Sequence, residues 1–256
     1  MTNTDLAEWP KQYEERYVAF IDILGFSEKV LSPHPSIPTH VRRILASIAD
    51  DIHQTAARLT GADLRATHFS DCFVLSAKDL DEGLWAIILT CDAIQSNNWA
   101  YDVVFRGGIT HGKVFHDDKG NFTSHPTMHP FIYGPAFLDA YKLESKIAVY
   151  PRIILSDYVV QKARQSGTSA SFSNYDSIYL AVSSCDNYTY INPFSNNPLM
   201  QNAQGLHLQA IGQTIFSNLQ HNKKRADVFA KWSWLALRYN EYVKKHPHSA
   251  QPIAIP

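Results

Sequence analysis

Two aspartates set the chemical question. Asp22 stands inside Tyr17-Val18-Ala19-Phe20-Ile21-Asp22-Ile23, an apolar run that reads as a buried strand. Alternation places it on one sheet face with Val18 and Phe20. A carboxylate buried there must be protonated, paired or neutralised by a cation, because burying the bare charge costs several kcal/mol. Asp71 falls with Ser70 between two short strand patterns, Leu64 to Phe69 and Cys72 to Ala77, at the tip of a hairpin expected beside the first strand. Each residue alone has an ordinary explanation: Ser-Asp is common turn chemistry, and Asp22 could form a buried ion pair or cap the next helix. Jointly they favour a metal site, since two carboxylates from neighbouring strands suit a pair of Mg²⁺ or Mn²⁺ ions.

Nearby residues extend that chemistry. Leu24-Gly25-Phe26-Ser27 passes through a tight turn into a helix start, where free N–H groups and the helix dipole favour phosphate. Ser27 is placed to cap this helix. Arg106 sits in the middle of a strand before Gly107-Gly108 and needs an anionic partner; a carboxylate and a phosphate or base fit equally. His125 and His129 lack a third ligand at useful spacing and are taken as loop residues. Cys72 is expected as a small buried side chain.

The elements that must position these residues follow from hydrophobic periodicity. After the first strand and its helix, Pro33, Pro35 and Pro38 mark a loop. Val41, Ile44, Leu45, Ile48, Ile52 and Leu59 form the stripe of an amphipathic helix, and Leu80 to Ile94 gives another. Val103 to Val114 reads as a strand, a helix starts near Pro135, and Arg152 to Leu155 closes the pattern as a strand. The expected fold is α+β, a ferredoxin-like or palm βααββαβ core with helices on one face of an antiparallel-rich sheet. The expected organisation is an N-terminal tail over 1–16, a catalytic domain over 17–191 and a C-terminal loop and helical extension over 192–256. In that extension Val228, Trp232, Leu235, Tyr239 and Tyr242 share a helix face. From Lys223 to His246, seven Lys/Arg stand against two Asp/Glu, either a solvated face or a guide for an anion.

Composition narrows the classes. Among 256 residues, 45% are hydrophobic and 18% charged, and 23 Lys/Arg against 24 Asp/Glu give a formal charge of −1. A balance that close to neutral argues against a general nucleic-acid or membrane-surface binder. The three cysteines, Cys72, Cys91 and Cys185, match no zinc spacing, and the first fifteen residues are polar, so the expectation is a cytoplasmic protein without a signal peptide.

Four segments in order carry a family resemblance. Phe20-Ile21-Asp22-Ile23-Leu24-Gly25-Phe26-Ser27 resembles the F-x-D-I-x-G-F-T/S signature of class III nucleotidyl cyclases. Ser70-Asp71 corresponds to their second metal aspartate, and Phe105-Arg106-Gly107-Gly108-Ile109-Thr110-His111-Gly112 is similar to their R-x-G-I-x-x-G strand. Tyr133-Gly134-Pro135-Ala136-Phe137-Leu138-Asp139-Ala140-Tyr141-Lys142-Leu143-Glu144 resembles their G-x-x-V-N-x-A-x-R-L-E helix. Within that superfamily these segments, with Lys231-Trp232-Ser233-Trp234-Leu235, look most like the pyrimidine cyclases of bacterial antiphage (Pycsar) defence. The resemblance implies homodimers with sites at the interface and two Mn²⁺ or Mg²⁺ ions per site. It also implies conversion of UTP or CTP to a 3′,5′-cyclic monophosphate read by a separate effector, with no nucleic-acid or membrane partner.

What the resemblance assigns is residue by residue. Asp22, the Ile23 carbonyl and Asp71 would hold the metals, while Phe20, Gly25, Phe26, Ser27 and Arg106 would line the substrate. The purine-reading lysine and aspartate fall on Thr67 and Phe131, which match neither the adenylate nor the guanylate pattern; Phe131 would suit a smaller, pyrimidine base. The transition-state asparagine and arginine fall on Leu138 and Lys142. Leu138 cannot donate a hydrogen bond, and Lys142 keeps the charge without the bidentate fork. On the helix, Ala136, Ala140, Leu143 and Ile147 are expected inward, with Asp139, Lys142 and Lys146 outward. Alternatives are a cyclase-like nucleotide sensor, a purine cyclase, and a diguanylate cyclase, the last disfavoured by His68-Phe69-Ser70-Asp71 where two glycines should precede the acidic pair.

Overall fold

The structure is a computed structural model that describes residues 13–118, 130–167, 172, 175, 179–183, 186–194, 206–246 and 250–256. His125, His129 and Cys185, and part of the 1–16 tail, lie outside the described residues. The chain runs β1 (Glu14–Leu24), α1 (Phe26–Leu31), α2 (Ile37–Arg58), β2 (Arg65–Phe69), β3 (Cys72–Lys78), α3 (Asp81–Asn97) and β4 (Val104–Asp117). It continues with β5 (Phe131–Tyr133), α4 (Pro135–Lys142), β6 (Ile153–Leu155), α5 (Asp157–Ser166), β7 (Leu180–Val182), β8 (Thr189–Ile191), α6 (Leu206–His221) and α7 (Ala226–Lys245). The fold is mixed α+β, with sheet order β2-β3-β1-β4-β6-β8-β7 and β5 pairing with β4. The β4–β6 pair is parallel and the others are antiparallel.

Alternation along β1 sorts the molecule into two sides. Tyr17, Ala19, Ile21 and Ile23 enter a core with Ile44 and Ile48 of α2, Leu84, Ile87 and Ile88 of α3, and Val159 of α5. Each aliphatic side chain fully buried there contributes about 1.5–3 kcal/mol of transfer free energy. The even residues face the other way: Val18 and Phe20 pack with Val74 and with Ala136 and Ala140 of α4. Helices therefore cover both faces, not one as the periodicity predicts, and the helix that crosses over lies beside the strand end carrying Asp22. Gly108 permits this crossing, since a Cβ there would meet the Leu143 Cβ at 2.4 Å.

The C-terminal helices bury the expected stripe. Trp232, Leu235 and Tyr239 are buried, with Val228 and Tyr242 partly so, in a cluster shared with Ile154 of β6 and Tyr190 of β8. Two elements, β5 and α5, go beyond the sequence-based order. Among the described residues no helix is long and apolar enough to cross a membrane.

Candidate active site

Strand register assembles the site. Asp22 is paired with Cys72 on one side and Arg106 on the other, so all three side chains share the α4 face of the sheet. The β2–β3 turn brings Asp71 alongside, with Ser70 in the left-handed region at φ 56°. The Ile23 N–H donates to the Asp71 carbonyl at 3.1 Å, tying the end of β1 to that turn. The two aspartates are thus brought together as the sequence predicts.

Arg106 meets carboxylates. Its Nε donates to Asp22 Oδ2 at 3.0 Å and lies 2.7 Å from Glu144 Oε1. Glu144 is 3% exposed, and despite that proximity its Oε1 accepts no hydrogen bond of acceptable geometry. Two carboxylates therefore share one guanidinium, and Asp71 lies beside them. Burial pushes the Asp22 carboxyl upward against the hydrogen bond and charge of Arg106, and Asp71 adds to the rise. Burial, then the charges of Asp22 and Asp71, holds Glu144 at about 6 against the pull of Arg106.

Two negative charges remain uncompensated within this group when all its members are ionised. That excess of negative charge suits a divalent cation, and Asp22, Asp71 and Cys72 offer ligand atoms within 4.8 Å of one another. Burial, then the charges of Asp22 and Asp71, pushes the Cys72 thiol up to about 12. One residue pair further along this face, Leu24 and Val104 line an open cleft of about 440 Å³ bounded by Gly25, Lys29, Arg225 and Lys231. That volume lies within the usual range for small-ligand sites.

The remaining expected residues fall in different places. Gly25 occupies the position before α1 at φ 75°, where a side chain would be strained. Ser27 lies inside α1 and is exposed, and no side-chain cap forms, which corrects its expected capping role. Phe26 is 8% exposed with its ring in the α2–α3 core, so a ligand could meet its backbone but not its side chain. Phe20 is also buried, its ring against Phe137 and Tyr141 of α4.

Thr67 is buried, its Oγ1 at 2.8 Å from His116 Nε2, and is not open to a base within this protomer. Phe131 is half-buried in β5 opposite Asp117, at the far end of β4 from Arg106. Lys142 is exposed and pairs with Asp139 at 2.9 Å. A surface pair of this kind is worth about 0–1 kcal/mol and restrains the amine little. Leu138 and Tyr141 are exposed beside it.

Glu144 and Cys72 are the site residues that sequence reasoning passed over. Ala136 and Ala140 are buried as expected, but Leu143 and Ile147 are half-buried and Glu144 takes the inward position. Glu144 continues the i+4 stripe from Ala140, and the π-type turn over Leu143–Ile147, in which the Ala148 N–H donates to the Leu143 carbonyl five residues back, then moves the next inward position from Ile147 to Ala148. The available signal was spacing: Glu144 lies four residues after Ala140, on the same helical stripe.

No family model matches the chain, and no curated protein matches it. Solved structures do resemble its fold. One is a bacterial light-regulated adenylyl cyclase, 18% identical at TM-score 0.47, with 80% of this chain and 100% of that chain covered. Another is the catalytic core of a rhodopsin-guanylyl cyclase with converted specificity in complex with ATPαS, 16% identical at TM-score 0.47, covering 70% of this chain and 95% of that one. A third is a class III adenylyl cyclase-like ATP-binding protein from Pseudomonas aeruginosa, 13% identical at TM-score 0.44, covering 91% of this chain and 44% of that one. At this level of likeness the chemistry has to be read from the side chains themselves.

Proposed function

We propose that this chain is a nucleotide cyclase that converts a nucleoside triphosphate to its 3′,5′-cyclic monophosphate and pyrophosphate. The observation that carries this is the Asp22–Asp71 pair, set beside Glu144 with too little positive charge to balance it. Asp22, Asp71 and the Ile23 carbonyl would hold Mn²⁺ or Mg²⁺. Bound there, divalent ions supply Lewis-acid activation of the ribose 3′-OH and neutralisation of the leaving pyrophosphate. The chain's own residues orient the substrate: Asp22 and Asp71 fix the reacting end, and Gly25 leaves the backbone open toward the adjoining cleft. Arg106 is committed to Asp22 and Glu144, so its first role is to hold those carboxylates in place.

A homodimer completes the site. Phe131 and Lys142 do not converge on Asp22 within one protomer, so they would act on a nucleotide held by the partner, whereas Thr67 stays buried against His116. Lys142, loosely held by Asp139, is free to offset charge on the transferring phosphorus. The exposed Leu138 and Tyr141 beside it suit burial against a second copy. Uridine is the proposed base, with cytidine second; this rests on the resemblance to pyrimidine cyclases, as does a product that signals to a separate antiphage effector. The proposed organisation keeps 17–191 as the catalytic unit, with the segment over 192–256 as an extension.

A second possibility has one observation in its favour. Leu138, in place of the transition-state asparagine, is exposed on α4 and donates nothing; a nucleotide sensor that does not turn over would tolerate it. Purified protein incubated separately with ATP, GTP, CTP and UTP, each with Mn²⁺ or Mg²⁺, separates these ideas when products are resolved by mass. A cyclic pyrimidine monophosphate supports the proposal, and a purine product would keep the reaction but change the base. Bound nucleotide without product would establish the sensor.

A further inference from the structure

Cys72 is a residue that the proposed reaction leaves without a task. It follows Asp71 directly, and its register position opposite Asp22 sets its thiol between the two carboxylates. Sγ lies 3.6 Å from Asp22 Oδ1 and 3.8 Å from Asp71 Oδ1. A sulfur and an oxygen bound to one tetrahedral ion, at ~2.3 Å and ~2.0 Å from it, are themselves ~3.5 Å apart. The donors are thus already spaced almost as ligands of a single ion. Beside the same groups, the 3%-exposed Glu144 sets its Oε1 2.7 Å from Arg106 Nε without a hydrogen bond of acceptable geometry.

We propose that Cys72 turns this centre into a mixed oxygen–sulfur site that captures one thiophilic divalent ion of the Zn²⁺ or Cd²⁺ class through Asp22, Asp71 and the Cys72 thiolate. The proposal rests on the assignment of Asp22 and Asp71 as divalent-ion ligands. On capture the S–H bond breaks, its proton passes to solvent, and a sulfur–metal bond forms; no electron changes hands. Mg²⁺ prefers oxygen donors and leaves the thiol protonated, so the thiol discriminates between the two ion classes. A thiophilic ion held this way occupies the carboxylates that a catalytic ion would use, and acts as an inhibitor.

Cd²⁺ titration of the full chain, followed by thiolate-to-metal charge-transfer absorption, tests this without reference to turnover. The expected result is a band that saturates at one Cd²⁺ per chain and survives in Cys91→Ala/Cys185→Ala. It should be absent from Cys72→Ser and from Asp71→Asn, with Cd²⁺ affinity in Cys72→Ser down by roughly 10-fold or more. No band in the wild type, or a band that persists in Cys72→Ser, overturns the proposal. Should Cys72→Ser fail to fold, the Cys91→Ala/Cys185→Ala variant decides, because losing the band there also overturns it. The two ideas separate cleanly. A band without cyclic product from any nucleotide under Mn²⁺ leaves the thiol ligand standing and removes the cyclase, and product without a band does the reverse.

Discussion

The α4 face of the sheet carries two buried polar clusters on the same strand, and they are built on opposite terms. At the start of β1, the fully buried Arg16 donates to Ser76 Oγ at 3.0 Å, to Glu14 Oε2 at 2.7 Å and to Asp63 Oδ2 at 2.9 Å. Arg65 joins Asp63 at 2.8 Å, and His116 bridges Ser76 and Thr67 at 2.8 Å each. Two guanidinium groups meet two carboxylates. Burial alone would raise the Asp63 carboxyl, but hydrogen bonds from Arg16 and Arg65 bring it below its usual range. Burial, followed by the charges of Arg16 and Arg65, depresses His116 to about 3, so the imidazole is neutral at ordinary pH.

At the other end of β1, Asp22 and Glu144 share Arg106 with Asp71 alongside, so three carboxylates face one cation, and Asp22 and Glu144 are pushed upward instead of down. Balanced charge with matched hydrogen bonds marks scaffold. Unbalanced charge on carboxylates only 3% and 13% exposed, against 32% and 47% in the first cluster, marks a place that works with something else bound.

That contrast can be broken from either side. The largest expected effect is on turnover: Asp22→Asn or Asp71→Asn should lower cyclic product by about 10³-fold or more, since the charge stabilisation a metal supplies amounts to several kcal/mol. Asp71→Asn should also melt no lower than wild type without metal, because it removes repulsion of Asp22 and Glu144; product assays and thermal melts on one preparation check both halves. Arg16→Ala should do the reverse. Arg65 still pairs with both carboxylates, so the loss is that of Arg16's own buried hydrogen bonds, about 1–3 kcal/mol in urea unfolding, with Mn²⁺ affinity of the folded fraction unchanged.

The elements that these variants probe were unequally legible in the sequence. Alternation in β1 places Asp22 on the correct face, and the hairpin around Ser70-Asp71 sits beside it as expected, because both follow from period-two patterning and turn chemistry. The α4 stripe is right as far as Ala140 and then passes through Glu144, the i+4 position, before a π-type turn set by tertiary packing replaces Ile147 with Ala148 as the inward residue. Cys72 was read as a small buried residue; only the β1–β3 register reveals that it points at two carboxylates. The motif makes Phe26 and Ser27 ligand contacts; core packing takes the Phe26 ring, while Ser27 stays exposed in the first turn of α1. Thr67 was reached by counting from Asp71, and its burial against His116 depends on how the end of β4 meets β2, a contact remote in sequence.

Two smaller effects sharpen the comparison. Mn²⁺ at about 100 times its Kd should stabilise the wild type by about 2.7 kcal/mol, read as a rise in Tm. The rise should vanish in Asp71→Asn and survive in Arg16→Lys. Last comes a buried acid with one partner, Asp51 of α2, which accepts from Asn97 Nδ2 at 2.6 Å and has its Oδ2 unsatisfied. Burial holds its carboxyl at about 6, above the ordinary 3.8, with Asn97 opposing. The folded chain therefore keeps a proton that the unfolded chain has released, and the stability this gives is complete below pH 3.8 and is lost as pH rises through about 6. Asp51→Asn should accordingly stabilise the fold at pH 8 by roughly 1 kcal/mol, after allowing for solvent screening. The gain should disappear at pH 3.5, which paired denaturant melts would show.

The most direct test of the central claim is Mn²⁺ binding by electron paramagnetic resonance, which follows the free ion as protein is added. Compared on one day, wild type, Asp22→Asn and Arg16→Lys separate the two clusters. Uptake by wild type and Arg16→Lys, with uptake lost in Asp22→Asn, is the result predicted for a cation site at the unbalanced end of β1. Equal uptake by Asp22→Asn and wild type, or none by any of the three, would contradict it.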